Sequence, residues 1–159
     1  VEEQVRHATT ADLARLVELA EAARAELAPT RGGAIWLRRE ARPDPLEASI
    51  AEALAADDHL VLAGELDGVV VGYAIARLES LRDGSVLAVL DDIYVEAGAR
   101  SIGIGELLMN EVVAWATGRG CVGIDSIALP GNRATKNFFE TFGLVARAIL
   151  VHRDLRGEG

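Results

Sequence analysis

The sequence predicts an α/β (α+β) fold, a sheet flanked by helices, on three observations. Residues 60–66 and 69–78 are mostly apolar, strand-like runs on either side of an Asp67-Gly68 pair, which marks an antiparallel hairpin. Apolar residues recur at helical spacing over 12–27 and again from Ile102 onward. Between these stretches, Val86–Val95 is rich in Val, Leu, Ile and Tyr and is broken only by Asp91 and Asp92, which suits a strand buried on both faces.

Each element has its own signal. Residues 4–8 are a short strand. Thr9 or Thr10 caps a helix over 12–27 whose buried stripe is Leu13, Leu16, Val17, Ala20 and Ala23, and Pro29 ends it. Residues 30–44 are the least regular, with Gly32-Gly33, Trp36 and the arginines Arg31, Arg38, Arg39 and Arg42, and their length and composition suit a functional loop. Pro45 opens a second helix over 45–56. After the hairpin, Arg82-Asp83-Gly84 turns the chain into the central strand. The long helix that follows closes at Gly118 to Gly120, and residues 122–129 read as another strand. Pro130-Gly131 turns into a shorter helix near Asn132, residues 145–153 read as a last strand, and the chain from Arg156 reads as a frayed tail.

Composition narrows the function. A length of 159 residues predicts one domain over 1–159, and a chain that is 50% hydrophobic is not disordered. No apolar run approaches the ~20 residues that cross a bilayer, so no membrane partner is expected. Cys121 is the only cysteine, which leaves no intrachain disulfide and points to a reducing, cytoplasmic setting. His7, His59 and His152 are scattered, so no metal site is expected. A net charge of −9 argues against nucleic acid as a partner.

The chemistry concentrates after the central strand. Residues 96–99 form a turn, and Gly103 and Gly105 fall in the first turn of the long helix. Glycine is costly inside a helix, but at an amino end it leaves backbone N–H groups and the positive end of the dipole open to an anion. Arg100, just before it, is placed to add a charged contact. A P-loop would need a lysine here, and the single lysine is Lys136. A dinucleotide fingerprint would need glycine at 108, which is leucine. What remains is Arg100-Ser101-Ile102-Gly103-Ile104-Gly105 directly after a strand ending Ile93-Tyr94-Val95. This R-x-x-G-x-G loop resembles the pyrophosphate loop of the GNAT superfamily of acyl-CoA-dependent N-acyltransferases. A second stretch, Asn132-Arg133-Ala134-Thr135-Lys136-Asn137-Phe138-Phe139-Glu140-Thr141-Phe142-Gly143-Leu144, resembles that family's N-x-x-[AS]-x-x-[FL]-Y-E-x-x-G-F. The likeness covers residues 60–153 clearly and residues 1–59 only in element order.

The resemblance implies a mixed, mostly antiparallel sheet of six to seven strands with a splayed central pair, about four flanking helices, and acetyl-CoA as co-substrate. It implies that Ile93, Tyr94 and Val95 run beside the pantetheine arm. Arg100, Ser101, Ile102, Gly103, Ile104, Gly105 and Glu106 would form the phosphate loop. Asn132 would bond the arm's amide, and Phe139 would sit at the cofactor wall. The Asp91-Asp92-Ile93-Tyr94-Val95 run resembles the E-D-[FL]-[FY]-V of polyamine-type acetyltransferases, which makes Asp91 the first choice of general base, with Asp92 the other carboxylate and Glu79 in reserve. Strict alternation along a strand would send Asp91 and Asp92 to opposite faces. Phe139 replaces a tyrosine that many relatives use as acid. Three outcomes follow: unaided departure of the thiolate, which is favoured, a substitute hydroxyl from Tyr73, Tyr94 or Ser126, or binding without turnover. The implied activity is acetyl transfer to a primary amine of an unidentified acceptor, with a silent acyl-CoA-binding module as the rival. The arginines of 30–44 would favour an acceptor with an anionic group or touch the donor's phosphates. Dimers are common in that family, so a homodimer is compatible.

Overall fold

A computed structural model of the chain describes residues 2–157. Strand β1 (Glu3–His7) leads through a 3-10 turn at Thr10–Asp12 into helices α1 (Leu13–Leu27), α2 (Gly33–Arg39) and α3 (Leu46–Ala55). Strands β2 (His59–Leu66), β3 (Val69–Ser80) and β4 (Val86–Val95) follow. A 3-10 turn at Ala97–Ala99 precedes α4 (Ile104–Gly118), β5 (Ile124–Ser126) and α5 (Arg133–Thr141).

The strands form one sheet in the order β1-β2-β3-β4-β5, antiparallel except for the parallel β4–β5 pair. Helix α4 covers one face. There Leu62, Ala74 and Leu90 pack with Ile104, Leu108, Met109 and Val112, all buried. Helices α1 and α3 cover the other, where Leu16, Leu19 and Ile50 pack with Val61, Tyr73 and Ile75. Each large aliphatic side chain so buried contributes roughly 1.5–3 kcal/mol. Gly64 sets how closely α4 approaches, because a Cβ there would lie 2.6 Å from Ile104 Cγ2. The first residue of α4 is thereby seated on the sheet, which fixes the height of the preceding loop.

At the amino end, Arg6 donates to both Asp12 oxygens at 2.8 and 2.9 Å and to Glu65 at 2.5 Å, while the Thr9 amide donates to Asp12 at 2.8 Å. This ties β1, β2 and the start of α1 together. The Arg6 hydrogen bonds hold the Asp12 carboxyl below its ordinary range.

Several sequence expectations are corrected. Among the described residues the sheet has five strands, not six to seven, and five α-helices accompany it where about four were expected. The extra helix is α2, in the segment read as a loop. The strand expected over 122–129 is reduced to Ile124–Ser126. The last expected strand, 145–153, makes no ladder, and Val145, Ile149, Leu150 and Val151 stand open to solvent. Helix α4 begins at Ile104, so Gly103 is its cap and not part of its first turn. The tail expected from Arg156 reaches residues 158 and 159, which lie outside the described residues.

Candidate active site

The site begins with a one-residue slip in register. Ala76 faces Leu90 and Ile75 faces Asp92, so Asp91 is the extra residue of a β-bulge in β4. The bulge also corrects the alternation argument. Tyr73, Ile75 and Arg77 share one face of β3. Arg77 Nε donates to Asp91 Oδ2 at 2.9 Å, and the Tyr73 hydroxyl donates to Asp92 Oδ2 at 2.8 Å. Both carboxylates therefore lie on the same face of the sheet.

Their surroundings differ. Arg42, from the segment between α2 and α3, donates to Asp92 through Nη2 at 2.8 Å and through Nε at 3.1 and 3.2 Å. The Arg42 and Asp92 side chains are 9% and 11% exposed, and Arg42 Nη1 also donates to Ser49 at 2.9 Å. Burial keeps the Tyr73 phenol protonated well beyond its usual range, so it serves Asp92 as a donor. Asp92 is thus saturated. Asp91 has Arg77 alone on one oxygen; partial burial raises its carboxyl above the ordinary carboxylate range, against the lowering pull of Arg77. Glu79, the reserve, bonds the same Arg77 at 3.3 Å.

Beyond the bulge the sheet opens. β4 pairs with β5 only from Ala88–Ile124 to Leu90–Ser126, whereas it stays paired with β3 as far as Val95. The Glu96 amide donates to Val71 on the β3 side, so alternation turns the backbone groups of Ile93 and Val95 away from β3 into the opening. The Val95 carbonyl accepts from Arg100 Nε at 2.8 Å, and the Ser126 hydroxyl donates to the Leu90 carbonyl at 2.9 Å. Tyr94 lies on the face opposite the Ile93 and Val95 side chains, with the Arg100 guanidinium 5.4 Å from its ring centroid.

At the far end of the opening lies the glycine loop. Ser101 and Gly103 have φ of 68° and 98°, the left-handed region that favours glycine. Among the described residues, no carbonyl or side chain accepts from the amides of 101–106. A Cβ at Gly103 would come 2.8 Å from Glu3 Oε2, and one at Gly105 would come 3.3 Å from the Phe138 ring. Ser101, Ile102, Ile104 and Glu106 complete the turn, with Ile104 fully buried as its anchor. The loop therefore fits an anionic, phosphate-bearing group by its own geometry: a bare amide cradle at a helix amino end. Arg100 turns elsewhere, donating to Glu26 of α1 at 2.6 Å.

Asn132 caps α5, its Oδ1 accepting from the Thr135 amide at 3.3 Å. Phe139 is buried in the α4 core, whereas its neighbour Phe138 touches the loop glycine at 105. The sequence splits Phe138 and Phe139 between core and cofactor wall and assigns the wall to Phe139, because two adjacent aromatics carry the same signal. Sequence reasoning missed that the turn before α2 packs on the turn before α5, where a Cβ at Gly131 would lie 2.9 Å from the Arg31 amide nitrogen. Beside α2, Arg24, Arg38, Arg39 and Arg42 line a cavity of about 340 Å³. Among the described residues, no three His, Cys, Asp or Glu gather to hold a metal ion.

A bulged strand with an open edge thus leads to a helix amino end whose first backbone amides have no acceptor among the described residues. The model of the acetyltransferase (GNAT) family matches residues 17–144, and the chain belongs to that family. It is 27% identical over 106 residues to aminoglycoside N(6')-acetyltransferase type 1 of Salmonella typhimurium, a match covering 64% of this chain and 73% of the relative. Its fold is similar to that of AAC(6')-Iy in complex with the bisubstrate analogue CoA-S-monomethyl-acetylneamine, with 22% identity, a TM-score of 0.75 and coverage of 98% and 99% of the two chains. It is also similar to the tetramutant of the BH1408 protein from Bacillus halodurans, with 18% identity, a TM-score of 0.81 and coverage of 96% and 99%.

Proposed function

We propose that the whole chain acts as one N-acetyltransferase domain that moves an acetyl group from acetyl-CoA to a primary amine by direct attack. The observation that carries this reading is the continuity of the open β4 edge with the bare amides of 101–106. Acetyl-CoA supplies an activated acetyl thioester. The chain supplies position and charge. Outward backbone groups of Ile93 and Val95 offer a ladder to an extended amide-bearing arm, and one such N–H polarises the carbonyl. The amides from Ser101 to Glu106, with Gly103 and Gly105 holding the approach open, take the phosphates. Asn132, with its amide nitrogen left over from capping, contacts the arm, and Phe138 walls it with Phe139 packed in the core behind. Arg100 supports the loop through Glu26.

Asp91 takes the proton that the attacking ammonium must lose. Its raised carboxyl and single cationic partner support that role, whereas Asp92 is committed to Arg42 and Tyr73 and holds the strand. Phe139 has no proton to give. A thiol of ordinary pKa, about 8.5, leaves without one near neutral pH.

The name of the Salmonella relative puts amino sugars first among acceptors. The arginines around the cavity beside α2 add acceptors that also carry a carboxylate or phosphate. Thiol release from acetyl-CoA against amino sugars, their phosphates, amino acids, polyamines and peptides tests the reading. Turnover with one class is expected. Absence of CoA binding overturns it. Binding without release against any amine favours the second reading, a silent acyl-CoA-binding module, for which the buried Phe139 in place of an acid is the supporting observation.

A further inference from the structure

With phenylalanine at 139, the departing sulfur has no donor on α5, and the hydroxyls that could stand in are those of Tyr73, Tyr94 and Ser126. They differ in the face they occupy. Tyr73 packs with Ile75 against α1 and α3, and its phenol is spent on Asp92. Tyr94 packs with the same cluster, its ring against the Arg100 guanidinium. Ser126 stands across the sheet. Ile124, two residues earlier on β5, packs against the α4 core, and alternation puts the Ser126 side chain on that same face. Asp91 bonds Arg77 on the Tyr73 face, so Asp91 and Ser126 flank β4 from opposite sides.

Ser126 also marks where the opening begins. It is the last residue of β5 paired with β4, its partner is Leu90 just before the bulge, and beyond that pair the two strands part. Its half-buried hydroxyl donates to the Leu90 carbonyl at 2.9 Å across the apex. An arm that runs from the loop at 101–106 back along Val95 and Ile93 ends against this apex, which brings its thioester between Asp91 and Ser126. We infer that Ser126 is the hydrogen-bond donor to the leaving sulfur, an inference that rests on the acetyl-CoA reading above. The amine attacks the carbonyl carbon from the Asp91 side, a C–N bond forms, and Asp91 takes the proton from nitrogen. The C–S bond then breaks and its electron pair stays on sulfur. A hydroxyl has one proton on a freely turning bond, so Ser126 redirects it from the Leu90 carbonyl to the thiolate. That proton stays on serine. The thiolate thus leaves unprotonated but held, and a hydrogen bond to a charged group in a half-buried setting favours it about tenfold or more.

Coenzyme A itself tests this without an acceptor. Its thiolate absorbs in the ultraviolet, so a pH titration of the complex, less that of the protein alone, reads the ionisation of the bound thiol. That ionisation should fall about one pH unit lower on wild type than on Ser126→Ala, since one unit equals a tenfold preference for the thiolate. Ser126→Thr keeps a hydroxyl and should stay with wild type. With an amine that is turned over, Ser126→Ala should lower kcat about tenfold at unchanged KM for acetyl-CoA, and Ser126→Thr should restore it. Urea denaturation confirms that both variants fold. Coenzyme A that binds wild type and Ser126→Ala and ionises at the same pH on each overturns the role of Ser126. So does a loss of kcat that Ser126→Thr shares, which would make the hydroxyl only a tie to Leu90. Failure of wild type to bind coenzyme A overturns instead the reading of the site on which the inference stands.

Discussion

Tyr73 and Asp92 are joined by a 2.8 Å hydrogen bond in which the phenol donates from a ring that is 1% exposed. Arg42 reaches the same carboxylate from a segment 50 residues away in sequence. The three groups pin β4 to β3 and to the α2–α3 segment where the bulge begins. Asp92 is the anion that makes Arg42 tolerable in a buried setting, and Tyr73 completes its coordination.

Removing one member should therefore cost unequally. Asp92→Ala leaves the Arg42 guanidinium without its counter-ion and is expected to lower stability by about 3–5 kcal/mol. Tyr73→Phe removes one donor from a carboxylate that still has Arg42, and about 1 kcal/mol is expected. Urea denaturation of the two variants against wild type measures both. Equal losses would show that the carboxylate does not organise the cluster.

Asp91 makes the opposite prediction. It has one cationic partner and a partly exposed side chain, so Asp91→Asn should change stability by less than about 1 kcal/mol while lowering kcat/KM at least ~100-fold. The base form is the one required, so activity should fall as pH drops through a carboxyl value raised above the ordinary 3.8. Arg77 pulls that value down. Arg77→Gln therefore moves the acid limb to higher pH, and a pH–rate profile reads the direction. A limb that moves to lower pH, or stays, removes Asp91 from the role.

The glycine loop predicts a defect in binding. Gly103 adopts φ of 98°, where a Cβ costs about 1–2 kcal/mol, and its Cβ would also meet Glu3. Gly103→Ala should weaken coenzyme A binding about tenfold, a loss of ~1.4 kcal/mol. Gly105→Leu should do more, by driving into the Phe138 ring. Calorimetry with coenzyme A measures both, and unchanged affinity in both would place the phosphates elsewhere.

What could be read in advance follows from range. The hairpin turn at Asp67-Gly68, the limits of β4 and the glycine loop are written in adjacent residues, and the structure has them where the pattern puts them. The bulge at Asp91 is not local. It is a relation between β4 and Ile75–Ala76 of β3, and a strand read alone shows only alternation. Arg42 looked like one loop arginine among four because its partner is far along the chain. Helix α2 was missed since Gly33–Arg39 is too short to show a stripe, and its start depends on Gly32 at φ 85°. The apolar run over 145–153 was legible, but whether a strand finds a neighbour is decided outside the run itself.

The last prediction concerns Asp12, whose role is structural. Arg6 and the Thr9 amide both donate to it, and the folded-state carboxyl lies below the ordinary value of 3.8. The folded form therefore prefers the ionised carboxylate more strongly than the unfolded chain does. Its contribution is fully present above the unfolded value and is lost as pH falls through the depressed folded one. Arg6 is one-third exposed, which screens the pair, so Asp12→Asn should cost about 1–3 kcal/mol at neutral pH. As pH falls below the ordinary carboxylate range, wild type loses that contribution and the variant does not. The gap between their urea midpoints should accordingly narrow toward pH 3, whereas a gap independent of pH would mean that packing, not charge, sets the cost.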